Sequence, residues 1–155
     1  MIDRILVVCV GNICRSPMAE GMLRQALPGR MLSSAGIGAL VGQPADPIAI
    51  ELMQDRQVDI TQHRARQLLG TMVAASDLVL VMELNQQRHL EQQYPLARGK
   101  IFRLCESVRA DVADPYRQGR KAFEESLRLI AQGVESWTTR IKALDAKRDS
   151  QALNK

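Results

Sequence analysis

The stretch Cys9-Val10-Gly11-Asn12-Ile13-Cys14-Arg15-Ser16 sets a thiol six residues before a guanidinium, with Gly-Asn between them and Ser16-Pro17 closing the run. These residue types can hold and attack an oxyanion. Successive loop amides and the positive end of a following helix can converge on a phosphate, while a guanidinium grips two of its oxygens in a bidentate fork. Gly11 permits an unusual backbone angle, and asparagine, here Asn12, is the side chain that next best tolerates a left-handed conformation. The same positive field favours the thiolate of Cys9, which is the nucleophilic form, and Ser16 can donate a hydrogen bond to it. Taken singly, Cys9 would be an ordinary strand cysteine and Arg15 a surface helix residue. The strand before them, Gly-Asn between them and Ser-Pro after them give the set its chemistry. The chain has no Gly-x4-Gly-Lys-Ser/Thr run for a nucleotide. Cys9, Cys14, Cys105, His63 and His89 lack the paired spacing of a zinc site, so neither metal nor cofactor is expected.

Positioning such a loop takes a rigid frame, and the chain alternates the segments that build one. Ile5 to Val10 is a continuous apolar run with β-branched residues, as in a strand buried on both faces. Ser16-Pro17 provides a helix start, and the helix runs on through Ala19, Met22, Leu23, Ala26 and Leu27 until Pro28-Gly29. Met31 to Ala35 predicts a second strand, residues 46–56 a helix, Ala65 to Leu69 a short helix, and Asp77 to Met82 a third strand. Asn85 to Gln93 reads as a helix and Lys100 to Cys105 as a fourth strand. From Phe123 to Leu144 apolar residues recur at three- and four-residue spacing, the pattern of a long amphipathic helix. Alternating strands and helices imply right-handed crossovers, a four-stranded parallel sheet flanked by helices, and a three-layer α/β domain. Ligands in such sheets bind beyond the carboxyl ends of the strands, where the Cys9–Ser16 loop falls.

The 155 residues suit one domain, expected over 1–145 with a fraying polar tail over 146–155. At 46% hydrophobic and 25% charged the composition is that of a globular chain and excludes disordered, collagen-like and membrane-spanning classes. Three cysteines are an odd count for a disulfide scaffold, and the N-terminus does not read as a signal peptide, so a cytoplasmic location is expected. The net charge of +4 comes from bases interrupted by acids, without interleaved aromatics, which argues against nucleic acid.

Val7 to Glu20 resembles the phosphate-binding loop of the low-molecular-weight protein tyrosine phosphatases, and Asp114-Pro115-Tyr116 resembles that family's general-acid loop. Ser34-Ala35-Gly36 and His63-Arg64-Ala65-Arg66-Gln67 match further family segments in the same order. The resemblance implies that family's fold, with Cys9 as nucleophile, Arg15 and the amides of residues 10–16 as the phosphate clamp, and Asp114 as proton donor. Asn12, Ser34 and His63 would brace the loop, and Leu40 and Tyr116 would wall the cleft. Asp111 is the nearest rival acid, and only the Asp-Pro-Tyr context selects Asp114. Cys14 would either pair reversibly with Cys9 on oxidation or simply fill the loop as a small apolar residue.

Leu40 and Arg117 stand where eukaryotic members carry aromatics, whereas Gly38-Ala39-Leu40-Val41-Gly42 followed by Ala45-Asp46-Pro47 resembles the bacterial branch associated with exopolysaccharide and capsule export. The partner implied is a phosphotyrosine protein, a membrane tyrosine autokinase, with no stable membrane insertion of this chain. The alternatives are a protein arginine phosphatase, which would carry threonine in place of Ile13, and a non-catalytic phosphotyrosine-binding module, which would lack nucleophile or acid. A thiol-dependent arsenate reductase would need two further cysteines in a mobile segment, and none lies between Cys14 and Cys105.

Overall fold

The computed structural model describes residues 1–155. Four strands, β1 (Arg4–Cys9), β2 (Met31–Gly36), β3 (Leu78–Val81) and β4 (Ile101–Arg103), form one parallel sheet in the order β2-β1-β3-β4. β1 is central because it is apolar on both faces: Ile5, Val7 and Cys9 enter a core of 29 buried residues, while Leu6 and Val8 enter a smaller one of 10. The larger core packs under α1 (Arg15–Ala26), α2 (Pro47–Asp55) and α5 (Arg120–Leu153). The smaller lies under α3 (Gly70–Ala75) and α4 (Leu84–Gln93), completing the three-layer α/β domain expected.

Side-chain caps set two of the five helix starts. The Asp46 carboxylate accepts from Ile48 N at 2.9 Å ahead of Pro47, and Glu83 with Gln86 forms a capping box on α4. At α1 the expectation of a Ser16 cap gives way: the helix begins at Arg15, no side chain caps it, and the Ser16 hydroxyl turns into the site instead. Pro17 still falls in the first turn, where the missing N–H costs nothing.

Two other expectations are corrected. Ala65 to Leu69 is not helical. Ala65 and Leu68 are buried at helical spacing, but Gly36 N donates to Arg66 O at 2.9 Å and Leu68 N to Gly36 O at 2.8 Å. These bonds tie the segment beside β2 through a Gly36–Gln67 bridge, and the helix comes later, as α3. Nor does the chain fray at Asp145. Asp145 is ion-paired with Arg30, and the sequence beyond contains no proline or glycine, so α5 continues to Leu153 with an exposed surface. No helix is long and apolar enough to cross a membrane.

Candidate active site

β1 ends at Cys9, one residue earlier than its apolar run, and the chain turns at once into the loop that precedes α1. Asn12 adopts φ 59°, the left-handed conformation expected of it. Its side chain pays for that angle by donating to Ser16 Oγ at 2.7 Å and Ser34 Oγ at 3.0 Å, and by accepting from Arg66 N at 2.9 Å.

The loop's carbonyls all face outward to partners. Those of Cys9, Val10 and Gly11 accept from Ile37 N, Gly38 N and Leu40 N, each at 3.0 Å. That of Ile13 accepts from Asp46 N at 2.8 Å, and His63 Nε2 bonds the Asn12 carbonyl at 2.6 Å. A peptide whose oxygen is held outward turns its N–H the other way, and the amides of Gly11, Asn12, Ile13 and Cys14 donate to no backbone carbonyl. The result is a concave set of donors, a nest for an anion. Gly36 makes it possible, since a Cβ there would collide with the Val10 carbonyl.

Cys9 Sγ lies 2.9 Å from Ser16 Oγ, and both residues are buried. Arg15 is 1% exposed: Nη1 donates to Val112 O at 2.8 Å and lies 3.4 Å from Glu83 Oε1, and Nη2 is 3.7 Å from Asp114 Oδ2. Its Nε–H is buried with no partner. An orphaned donor of this kind costs free energy that an oxyanion beside it would recover. Cys9, Gly11, Ile13, Cys14 and Arg15 line one cleft with Leu40, Asp114 and Tyr116 on its walls.

All the site residues named from sequence therefore converge, Ser34 and His63 behind the loop rather than in the cleft. The rival Asp111 is committed elsewhere, accepting from Leu84 N at 3.0 Å and from Arg103 at 3.1 Å. Burial, then the nearby Asp46, Cys9 and Asp114, push the Cys14 thiol up, so it stays protonated at neutral pH. Sequence reasoning missed Glu83, whose one legible signal is its spacing from Gln86, and the Val112 carbonyl, which carries no signal at all.

A parallel three-layer domain with a thiol and an oxyanion nest at the carboxyl end of its first strand fits the class of small cysteine-based phosphatases. A family model described as low molecular weight phosphotyrosine protein phosphatase matches residues 4–149. A curated relative, the probable low molecular weight protein-tyrosine-phosphatase EpsP of Ralstonia nicotianae, is 54% identical over 144 residues, covering 93% of this chain and 99% of that one. Vibrio vulnificus Wzb in complex with benzylphosphonate superposes with a TM-score of 0.87 at 41% identity, covering 90% and 99% of the two chains. The YwlE arginine phosphatase from Geobacillus stearothermophilus gives 0.86 at 28% identity, over 93% and 96%. The chain belongs to the low molecular weight phosphotyrosine protein phosphatase family and is a protein-tyrosine-phosphatase, a hydrolase.

Proposed function

We propose that Cys9, Arg15 and Asp114 carry this hydrolysis through a phosphocysteine intermediate. The observation that carries the assignment is the unpartnered Arg15 Nε–H, buried in the one cleft that also holds Cys9 and Asp114. Cys9 Sγ attacks phosphorus in line as the bond to the phenolic oxygen breaks, and Asp114 gives its proton to that oxygen. Arg15 and the loop amides hold the equatorial oxygens, where charge must be stabilised during transfer. Asp114, now a carboxylate, takes a proton from water as the water attacks phosphorus. The S–P bond breaks, and inorganic phosphate leaves with the thiolate restored.

The cleft walls favour an aromatic ester. Leu40, Tyr116 and Ile13 line the cleft, and a tyrosyl phosphate reaches farther into it than a seryl one. Ile13, apolar and 8% exposed, offers no hydrogen bond to a guanidinium, which disfavours phosphoarginine despite the shared fold. The physiological substrate is the tyrosine-rich cytoplasmic tail of a membrane autokinase in exopolysaccharide or capsule export, with this chain acting in the cytoplasm. Support for that reading is the Gly38–Gly42 and Ala45–Pro47 segment, together with the similarity to EpsP and Wzb.

The test is phosphate release from phosphotyrosine and phosphoarginine peptides without added metal, with Cys9→Ser as control. Turnover of phosphotyrosine that disappears in Cys9→Ser is expected. Turnover surviving that substitution overturns the mechanism, and preference for phosphoarginine overturns the substrate assignment.

A further inference from the structure

The loop bearing Asp114 is tied to the protein in several places, and most of the ties lie upstream of the acid. Val112 N donates to Met82 O at 2.9 Å, Val112 O accepts from Arg15, and the Asp111 carboxylate accepts from Leu84 N and Arg103. Beyond the acid the bonds are local, Tyr116 N to Asp114 Oδ1 at 3.1 Å and Gln118 N to Pro115 O at 2.9 Å. One hydrogen bond alone joins residues 109–118 to α5: the Ser126 hydroxyl donates to the Ala113 carbonyl at 2.9 Å.

Ser126 is 4% exposed on the inner face of α5. A serine within a helix commonly returns its hydroxyl to the carbonyl one turn back, which here would be Ala122. Ser126 instead reaches across to the loop. The oxygen it holds belongs to the planar peptide that joins Ala113 to Asp114, so fixing that oxygen fixes the rotation of the whole plane. The plane's far end is the Asp114 nitrogen, and its rotation sets the direction in which the Asp114 side chain leaves the backbone. On the other side the buried Pro115 restricts Asp114 to an extended conformation. Asp114 is thus held from both flanks while its carboxylate stays half-exposed above Arg15.

We propose that Ser126 is a positioning residue for proton donation by Asp114, a role that rests on the assignment of Asp114 as the acid. A misdirected acid slows the step only when the leaving oxygen needs a proton. That dependence separates positioning from general support of the fold.

The experiment compares Ser126→Ala, Asp114→Asn and the double variant in rapid-mixing first turnovers, with phenyl phosphate and with dinitrophenyl phosphate, whose phenolate leaves unprotonated. For Ser126→Ala we expect about a 10-fold slower release of phenol, a fraction of the roughly 10²- to 10⁴-fold a general acid supplies, and less than about a 2-fold change for the dinitrophenolate. Added to Asp114→Asn, Ser126→Ala should cost nothing further, because its effect runs through the missing acid. Equal losses on both esters, no loss on either, or an additive loss in the double variant would overturn the proposal. If Asp114→Asn itself treats the two esters alike, the assignment of the acid fails, and the role of Ser126 falls with it.

Discussion

The Arg15 guanidinium donates to the Val112 carbonyl at 2.8 Å, joining the oxyanion nest to the acid loop across 97 positions of chain. One buried side chain thus serves both halves of the site. Its charge is balanced by Glu83 at 3.4 Å and Asp114 at 3.7 Å, and its Nε–H is left for the anion. On the proposed roles of Arg15 and Asp114, binding of the phosphoryl group and placement of the acid share a single anchor.

That shared anchor makes Arg15→Lys a poor replacement. A lysine ammonium has no planar fork and cannot hold Val112 while gripping two phosphate oxygens. We expect kcat/KM on an aryl phosphate to fall by about 10²-fold or more, alongside a lowered Tm from the loosened Val112 contact. Steady-state kinetics and thermal unfolding of one preparation test both; retained kcat/KM would show that point charge suffices.

Asn12 combines a backbone angle of φ 59° with three side-chain hydrogen bonds, and paired substitutions separate the two. Asn12→Ala loses the bonds and keeps the strained angle, for a cost of about 3 kcal/mol. Asn12→Gly loses the same bonds without the strain and should be about 1 kcal/mol more stable than Asn12→Ala. Urea unfolding of the pair measures the difference, and a more stable alanine variant would contradict strain at this position.

The raised Cys14 thiol gives oxidation a defined pH dependence. If Cys14 is the resolving thiol, peroxide would convert the Cys9 thiolate to a sulfenic acid with release of hydroxide, and a Cys14 thiolate would then attack that sulfur, expelling hydroxide and forming the disulfide. Burial and the neighbouring acids keep Cys14 protonated at neutral pH, so its thiolate fraction, and with it the rate of disulfide closure, should rise about tenfold per pH unit above neutrality. Reductant should then restore activity to the parent enzyme and less to Cys14→Ser. Equal recovery in both, or closure indifferent to pH, would rule out Cys14 as the resolving thiol.

Much of the scaffold was legible in the chain order. β1 announces itself as a strand buried on both faces because both of its faces are apolar, and α5 because apolar residues recur at helical spacing over more than twenty positions. The segment around Gln67 misled for a physical reason: two buried apolar residues three apart suit a helix, but the backbone there was claimed by Gly36, a partner distant in sequence. The tail misled because a polar composition suggests fraying, although residues 146–153 hold no proline or glycine to end a helix already formed.

At the site, residue types and spacing determined the oxyanion chemistry of the loop, a thiol and a guanidinium flanking Gly-Asn, whereas Asp114 is singled out over Asp111 by the resemblance of Asp-Pro-Tyr to a family segment. The direction of the peptides lay outside the sequence's reach. The loop amides face the cleft because Ile37, Gly38, Leu40, Asp46 and His63 hold the intervening carbonyls outward; four of these holds are backbone amides of the segment after β2, which no residue type announces, and the fifth is the His63 ring from beyond α2. Likewise Glu83, Val112 and Ser126 acquire their places beside Arg15 and Asp114 only when β3, the acid loop and α5 pack together. Local sequence fixes which groups a loop carries, whereas the hydrogen bonds that orient them come from residues far away in the chain, and only folding brings those within reach.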